Sequence, residues 1–377
     1  MPDETEPPPK KARSLSDNMK PGLLEKGLPL PAGEKVGYAI VGLGRAGNFH
    51  LTSLKFLSDS AKLLWVIDSD EAKIVATSQR EGCKGSTDVG DALNDPGVHA
   101  VVIASVTYSH YDYCKRALKA GKAVFTEKPI SHDRAELQEI LEMAISVQKP
   151  FVVGYQRRVD KNFRALRKEI VSGAVGDLRL IKCCSRDNPL PPLEYLKVSG
   201  GIFFDMLCHD FDMIHFLSSG QVPEEVYSVG HCYNQDIAKM DDIDMVAVTM
   251  KFKSGLIATV DCSRIAAYGY DQRVEAFGEK GMACANNEST STVVVATSSG
   301  YQHPMSEWSF PERYKHTYTT ELAEFTAMVK TNSVEDEAIV RRHLDLDTIT
   351  AAAELSYRLK RPVKLEEVPT LRPKLPH

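Results

Sequence analysis

The stretch from Val36 to Gly47 constrains the fold of this chain more than any other. Six residues typical of a buried strand, Val36–Val41, lead directly into Gly42-Leu43-Gly44-Arg45-Ala46-Gly47. In this G-x-G-x-x-G spacing the first glycine permits a sharp turn and the second a close approach to a ligand, while the third lets the helix pack on the strand. The helix N-terminus then presents free N–H groups to an anion. The stretch therefore predicts a strand–turn–helix unit that binds a pyrophosphate.

An acidic residue lies where such a unit needs one to bind a dinucleotide. Residues 62–67 predict the next strand, which ends at Asp68, about 20 residues beyond the glycines, where an acid binds the adenosine ribose. A plain strand–helix turn is the simpler alternative, but it does not require this acid. Ionised Asp68 would repel the 2′-phosphate of NADP, Ser69 and Asp70 bring no compensating arginine, and Lys73 lies a helical turn further on. We therefore expect NAD as the cofactor.

Length and composition exclude several classes of protein. A chain of 377 residues with 43% hydrophobic residues can form about two domains with ordinary cores. No apolar run approaches the roughly 18 residues of a membrane span, and a net charge of −5 lacks the basic excess of nucleic-acid-binding proteins. The eight cysteines form no C-x-x-C pair and the N-terminus has no secretory apolar segment. We expect no metal site, no membrane, no nucleic acid and a cytoplasmic location.

The pattern along the chain predicts α/β followed by α+β architecture. Residues 1–34 predict a disordered tail, in which the basic cluster at residues 9–13 is more simply a solvated segment than a nuclear signal. Strand and helix patterns alternate over residues 35–153, which predicts a Rossmann domain with a doubly wound parallel sheet. Residues 154–361 predict a substrate and oligomerisation domain on a large, mostly antiparallel open sheet, with last helices able to pack back on the first domain. Residues 362–377 predict a second tail.

Local patterns set the expected positions of individual elements. Continuous apolar runs predict buried strands at residues 100–104, 123–126 and 151–153. In the second domain, alternating patterns predict strands at residues 178–185, 226–233, 244–252, 256–264 and 273–277, with a hairpin turn at residues 253–255. Apolar residues at helical spacing predict helices at residues 71–81, 110–120, 162–172, 319–330 and about 345–358.

Two further stretches carry residues suited to chemistry. Glu127-Lys128-Pro129 follows a predicted strand at the sheet edge where open α/β folds bind ligands. Pro129 biases Lys128 towards extended backbone, which can direct its ammonium group at a nicotinamide, although a surface lysine is equally consistent. Asp205 and His209 are four residues apart and so share a helical face. A histidine beside a carboxylate can act as a general base, but on this stretch alone a core histidine is the simpler interpretation.

Taken together, these motifs resemble the glucose–fructose oxidoreductase/inositol dehydrogenase (Gfo/Idh/MocA) family over residues 35 to 359. The glycine fingerprint is shared by many enzymes, whereas the lysine–proline step combined with Asp205 and His209 is far more specific. Segments with an arginine and tyrosines favour the inositol 2-dehydrogenase branch: Gly154-Tyr155-Gln156-Arg157-Arg158, Tyr268-Gly269-Tyr270-Asp271 and Glu275-Ala276-Phe277-Gly278-Glu279-Lys280-Gly281. The family implies a Rossmann domain, a second domain with an open sheet, and homo-oligomers (dimers or tetramers) built on that sheet.

The resemblance also implies a role for each residue. His209 would take the proton from a substrate hydroxyl, Asp205 would orient His209 and bind a neighbouring hydroxyl, and Lys128 would stabilise negative charge on the reacting oxygen. Arg157, Asn188 and Tyr270 would bind other parts of a polyol. The expected cofactor-binding residues are Gly42, Gly44, Arg45, Ala46, Gly47, Asp68, Ser105, Thr107, His110, Glu127 and Lys128. For Ser105, Thr107 and His110, ordinary helix capping is an equal alternative.

The chain departs from the family pattern in two loops. Residues 106–108 lack a common proline–asparagine step, and residues 188–198 are unusually rich in proline, so substrate choice could be set there. The leading hypothesis is an NAD-dependent enzyme that oxidises a secondary hydroxyl of a cyclic polyol or sugar, foremost myo-inositol. One alternative is a reductase of a keto-sugar, a dihydrodiol or a bilin that uses NAD(P)H. Another is a non-catalytic regulator that senses NAD(H).

Overall fold

The computed structural model describes residues 23–25 and 29–371, so most of the predicted N-terminal tail, including the basic cluster, lies outside the described residues. Its strands in chain order are β1 (Leu23–Glu25), β2 (Val36–Val41), β3 (Ala61–Ile67), β4 (Lys84–Ser86), β5 (Ala100–Ile103), β6 (Ala123–Glu127), β7 (Phe151–Gly154), β8 (Leu178–Arg186), β9 (Pro223–His231), β10 (Met245–Phe252), β11 (Ile257–Ser263), β12 (Asp271–Gly278), β13 (Met282–Ala285), β14 (Val295–Thr297), β15 (Gly300–Gln302), β16 (Ser333–Glu335) and β17 (Val363–Lys364). Its α-helices are Arg45–Phe56, Glu71–Glu81, Val89–Leu93, His110–Lys119, Arg134–Val147, Lys161–Val171, Leu193–Leu196, Cys208–Leu217, Gln235–Ala238, Phe310–Arg313, Lys315–Thr331, Glu337–Leu359 and Val368–Leu371.

The first sheet has six parallel strands in the order β4-β3-β2-β5-β6-β7. Every residue of β2 and of β5 is buried, as expected for strands with helices on both faces. This order and direction confirm the predicted doubly wound Rossmann fold. The turn after β2 and the residues after β6 lie at the same sheet edge, because parallel strands all end on one side.

The second sheet has seven strands in the order β13-β12-β8-β11-β10-β9-β17. Only the β8–β11 pairing is parallel among the described strands of this sheet, which confirms a mostly antiparallel sheet. Buried and exposed residues alternate along β10, as expected when one face meets the core and the other does not. The predicted hairpin turn joins β10 to β11, with Gly255 at a φ of +88°.

Both ends of the described chain correct the predicted tails. Residues 23–25 form β1, which pairs with β16, although we predicted disorder there. Residues 362–371 are likewise ordered: β17 adds an edge strand beside β9, and Val363 and Val368 are buried in the core. These segments are too short to show a period of their own, and their positions depend on a partner strand or core distant in sequence.

One helix from the later part of the chain completes the core of the first sheet. Helix Lys315–Thr331 contributes Leu322, Phe325 and Val329 to the apolar cluster beneath β2. Tyr38 of β2 lies with its hydroxyl 2.9 Å from Thr326 Oγ1 inside this cluster. Because Thr326 Oγ1 donates its hydrogen to the Leu322 carbonyl oxygen at 2.7 Å, Tyr38 must be the donor to Thr326. Burial raises the pKa of Tyr38, so the phenol remains a donor.

We predict that this buried hydrogen bond contributes measurably to stability. Thr326→Val leaves the Tyr38 hydroxyl without its acceptor, so the free energy of unfolding should fall by about 1–3 kcal/mol. Adding Tyr38→Phe should recover part of that loss, because both polar partners are then absent. Urea unfolding of the parent, the two single variants and the double variant tests this. The prediction is contradicted if the double variant loses as much free energy of unfolding as the two single variants together.

Candidate active site

The glycines of the fingerprint turn have different structural roles. Gly42 has a φ of +93°, and a Cβ added there would lie 2.5 Å from the Ser105 Cα. A Cβ on Gly47 would lie 1.9 Å from the Gly42 carbonyl oxygen. By contrast, no heavy atom among the described residues lies within 4 Å of a Cβ added to Gly44. Two glycines therefore allow the chain to pack on itself, and the third leaves space beside the turn.

The helix that follows fits the phosphates of a dinucleotide. Gly44 is the N-cap of helix Arg45–Phe56, and no side chain of the described residues caps this end. The first N–H groups of the helix therefore face the open space beside Gly44. Arg45 and Ala46, both predicted to bind the cofactor, are the first residues of the helix.

Asp68 lies against the same turn. Its Oδ2 accepts a hydrogen bond from the Leu43 N–H at 2.6 Å, and its Oδ1 accepts one from the Asp70 N–H at 3.0 Å. Lys73 Nζ lies 3.6 Å from Asp70 Oδ2, so this cation already has a nearby carboxylate. A carboxylate in this position can accept hydrogen bonds from ribose hydroxyls, and the cation of Lys73 is paired with Asp70.

The loop after β5 borders the fingerprint turn. The Oγ atoms of Ser105 and Ser109 lie 2.7 Å apart, and Thr107 begins a single 3₁₀ turn. His110 is buried, with Nδ1 2.7 Å from the Pro129 carbonyl oxygen and Nε2 3.0 Å from the Ser105 carbonyl oxygen. His110 therefore fastens this loop to the segment after β6.

Glu127 and Lys128, at the end of β6, make different connections. Glu127 Oε1 lies 2.8 Å from Nε2 of the fully buried His50, which ties β6 to the fingerprint helix. Lys128 reaches the second domain: its Nζ donates to the Asp205 carbonyl oxygen at 2.6 Å and lies 3.4 Å from Asp205 Oδ1. Burial disfavours the ammonium, but Cys208, Asp205 and other neighbours outweigh it and raise the pKa of Lys128 above its ordinary value.

The carboxylate of Asp205 is held by donors from three parts of the chain. Oδ1 accepts from the Tyr195 hydroxyl at 2.7 Å as well as from Lys128, and Oδ2 accepts from Arg264 at 3.0 Å. Burial acts to raise the pKa of Asp205, but the charges of Lys128 and Arg264 outweigh it and lower the pKa. Asp205 is therefore ionised at neutral pH.

His209 lies near Lys128, at the junction of the Rossmann domain with the second part of the chain, which is called the cleft below, but Asp205 does not hold it. A π-helical turn, Phe203–Leu207, precedes helix Cys208–Leu217 and changes the register that we assumed between the two residues. Among the described residues, Nδ1 of His209 is buried without a hydrogen bond, and the ring packs edge-on against Tyr155 with centroids 5.8 Å apart. Burial, followed by the charges of Lys128 and Arg157, lowers the pKa of His209 well below 6.5. Its imidazole is neutral at pH 7 and can accept a proton.

The three predicted substrate residues all make contacts within the protein. Arg157 is buried and donates to Asp210 Oδ1 at 2.7 Å, so its charge is already compensated within the protein. Asn188 Nδ2 donates to the Trp308 carbonyl oxygen at 2.9 Å. The buried ring of Tyr270 packs against Tyr314 with centroids 5.9 Å apart.

Three residues of the site were missed by sequence reasoning. Arg264, fully buried, joins Asp205 to Asp242 through hydrogen bonds of 3.0 Å and 2.9 Å. Asp187 follows β8, and burial together with nearby Asp205 raises its pKa to about 6 against the opposing Asn188 N–H. Tyr195 lies in the proline-rich segment. Two of them left a signal in the sequence: Arg264 stands at the end of an apolar strand pattern, and Tyr195 lies within the segment that departs from the family.

Two family models match this chain in the same order as its two sheets. Residues 36–155 match the oxidoreductase family with an NAD-binding Rossmann fold, and residues 163–284 match the GFO/IDH/MocA C-terminal domain. The chain belongs to the GFO/IDH/MocA family. It is therefore an oxidoreductase with an NAD-binding Rossmann domain, which confirms the resemblance found in its motifs.

Individual relatives cover nearly the same length. The myo-inositol 2-dehydrogenase of Thermotoga maritima is 37% identical over 332 residues, which are 87% of this chain and 98% of that protein. The inositol 2-dehydrogenase of Rhizobium meliloti is 36% identical over 78% of this chain and 89% of its own length. A scyllo-inositol dehydrogenase of Lactobacillus casei, solved with NAD(H) and scyllo-inositol, has a TM-score of 0.80 at 26% identity and covers 88% of this chain and 100% of its own.

We predict that Gly47 of the family fingerprint is needed for stability, whereas Gly44 is needed for cofactor binding. Gly47→Ala should lower the free energy of unfolding by about 1–3 kcal/mol or more, since its Cβ would overlap the Gly42 carbonyl oxygen. Gly44→Ala should leave stability nearly unchanged, because its φ of −75° suits any residue, yet weaken NADH binding by filling the space beside the turn. Urea unfolding and NADH fluorescence titration measure the two effects. Equal behaviour of the two variants would refute this assignment.

We also predict that burial, together with charged neighbours, holds the pKa of His209 below 6.5. Lys128→Met removes one positive charge, so the pKa of His209 should rise, while burial should keep it below 6.5. The histidine Cε1–H resonance reports this by NMR, assigned by its loss in His209→Gln. Lys253→Met, at an exposed turn, is the control and should not move the resonance. A His209 pKa near 6.5 in both the parent and Lys128→Met would contradict the prediction.

Proposed function

We propose that this protein oxidises a secondary hydroxyl of a cyclic polyol with NAD, foremost myo-inositol. One observation carries the proposal: Lys128 Nζ from the Rossmann domain lies 2.6 Å from the backbone oxygen of Asp205, four residues before His209. A charged amine and a neutral imidazole are thereby brought to one cleft. The inositol dehydrogenases among the relatives support cyclic polyols as the substrate class.

In the proposed reaction, His209 accepts the proton of the substrate hydroxyl. Asp205 takes up two of the three ammonium hydrogens of Lys128, which leaves one for the reacting oxygen. That hydrogen bond stabilises the negative charge that develops as the proton leaves. NAD, when bound at the fingerprint turn, supplies the acceptor for the hydride from the carbinol carbon.

Other polar groups near the cleft would recognise the remaining hydroxyls. A cyclic polyol offers a donor and an acceptor at each carbon, so it needs both kinds of partner around it. We assign this role to Asp205, Asn188 and Tyr270, with Arg157 supporting the site from behind through Asp210. Residues 35–153 would bind NAD, and residues 154–361 would bind the substrate and form the oligomer.

Two further features of the assembly belong to this proposal. The exposed face of the second sheet carries large apolar side chains that a second copy of the chain would cover: Tyr227, Val229, Ile257 and Phe277. We therefore propose a homo-oligomer built on this sheet. All eight cysteines have free thiols, which supports a reducing compartment such as the cytoplasm. Among the described helices, none is both long enough and apolar enough to cross a membrane.

The alternatives have less support. A reductase of a keto-sugar, a dihydrodiol or a bilin would use the same cleft in the opposite direction, but the named inositol dehydrogenases favour polyol oxidation. A non-catalytic NAD(H) sensor would not need a charged lysine and a neutral histidine in one cleft.

The direct test is a panel of inositol isomers, other polyols and sugars with NAD or NADP, followed by NADH absorbance. We expect NAD-dependent oxidation of at least one inositol, with NADP much poorer. His209→Asn should lower turnover by roughly 10²–10⁴-fold while NADH binding persists. The control His303→Asn alters an exposed histidine that follows β15 and should retain parental turnover. No turnover on the panel, or a fully active His209→Asn, would refute the proposal.

A further inference from the structure

Tyr195 has no part in the proposed reaction, yet it touches the catalytic carboxylate. It belongs to the short helix Leu193–Leu196, inside the proline-rich segment of residues 188–198. The residue as a whole is 38% exposed, but its hydroxyl is directed inward and donates to the buried Asp205 Oδ1 at 2.7 Å. Asp205 Oδ1 thus has two donors, the neutral Tyr195 hydroxyl and the Lys128 ammonium.

The ring of Tyr195 meets the cofactor side of the cleft. The Arg45 guanidinium, at the first residue of the fingerprint helix, lies 5.5 Å from the ring centroid of Tyr195 and 4.8 Å from that of Phe310. Both aromatic residues come from the second part of the chain, so one cation of the Rossmann domain contacts two rings across the cleft. Such cation–π contacts favour close approach of the guanidinium to the rings.

We propose that Tyr195 is a positioning residue that links the fingerprint helix to the Asp205–Lys128 pair. Its hydroxyl takes up part of the hydrogen-bonding capacity of Asp205 Oδ1, and its ring holds Arg45 beside the turn that binds the pyrophosphate of NAD. Without the phenol, Lys128 would be the remaining donor to Oδ1. The ammonium would then be drawn towards Asp205 and away from the substrate oxygen.

The phenol can keep this role over the working pH range. Burial, and then the charge of Asp205, raise the pKa of Tyr195 above its ordinary value despite the opposing charges of Lys128 and Arg45. Tyr195 therefore remains protonated and donates to Asp205. A hydrogen bond to an ionised carboxylate favours the ionised form, so its loss should raise the pKa of Asp205.

Two substitutions separate the hydroxyl from the ring. Tyr195→Phe removes the hydrogen bond and keeps the contact with Arg45, whereas Tyr195→Leu removes both. The matched control, Tyr233→Phe, changes a tyrosine that is 74% exposed and should behave as the parent does. Because part of the inference rests on the proposed function, the test combines steady-state kinetics on the best inositol with a substrate-independent NADH titration.

For Tyr195→Phe we expect kcat to fall by about 10–100-fold, the range for losing a hydrogen bond to a charged group. The acid limb of kcat/KM should move to higher pH, an effect that a purely structural residue would not produce. The NADH dissociation constant should stay at the parental value in Tyr195→Phe and rise by about 2–5-fold in Tyr195→Leu.

The kinetics and the NADH titration together distinguish failure of this inference from failure of the proposed function. Parental kinetics and an unshifted pH profile in Tyr195→Phe would overturn the link to Asp205. Equal NADH dissociation constants in the parent, Tyr195→Phe and Tyr195→Leu would overturn the link to Arg45, whether or not any inositol is oxidised. A parent chain that oxidises no inositol would instead refute the proposed function, and the NADH titration alone would then decide on Tyr195.

Discussion

The contact between Lys128 and Asp205 is the interaction on which the site depends. Both side chains are largely buried, and a buried charge is strongly unfavourable unless it is paired and hydrogen-bonded. Lys128 follows strand β6 of the first sheet, Asp205 lies in a helical turn of the second part of the chain, and Arg264 follows strand β11 of the second sheet. The charges can be compensated only if these elements meet, so the electrostatics of the site require the observed juxtaposition of the two sheets.

The same environment separates the protonation states of two bases. Lys128 and His209 share one cleft and both lose solvation, which disfavours their charged forms. Lys128 has the carboxylate of Asp205 within 3.4 Å and keeps its proton. His209 has the cations Lys128 and Arg157 as its main charged neighbours, so it loses its proton. The protonation states of Lys128 and His209 are thus set by their charged neighbours as well as by residue type. Such a difference between two neighbouring groups is common in acid–base catalysis.

The sequence was informative where structure depends on local chemistry. The glycine turn, the buried parallel strands and the alternating strands of the second sheet follow from short-range patterns, and their existence was predicted. The short pairings β1–β16 and β9–β17 were not, because they join segments that lie far apart in the chain. Helix Glu337–Leu359 begins eight residues before the predicted start, because its first turns bury Arg342 and His343 and so lack an apolar period.

The site shows the same division. That Lys128 lies close to Asp205 could be predicted because motif and family supplied what spacing alone did not. The other partners of Asp205 could not, since Arg264 is 59 residues away in sequence, and the π-helical turn that redirects Asp205 leaves no simple pattern. A helical wheel placed Asp205 beside His209, whereas the wider turn directs the carboxylate to Lys128, Tyr195 and Arg264.

Helix Lys315–Thr331 returns to the first sheet and joins its core. Its side chains Leu322, Phe325 and Val329 lie in the same core as β2, whose last residue leads into the fingerprint turn. Phe125 of β6 also packs on Phe325, with ring centroids 5.7 Å apart, two residues before Glu127 and three before Lys128. This helix therefore supports both the fingerprint turn and the strand that leads to Lys128, the lysine proposed to act in the reaction. A change in the packing of that helix would alter both together, which couples the dinucleotide site to the chemistry through the core as well as through the cleft.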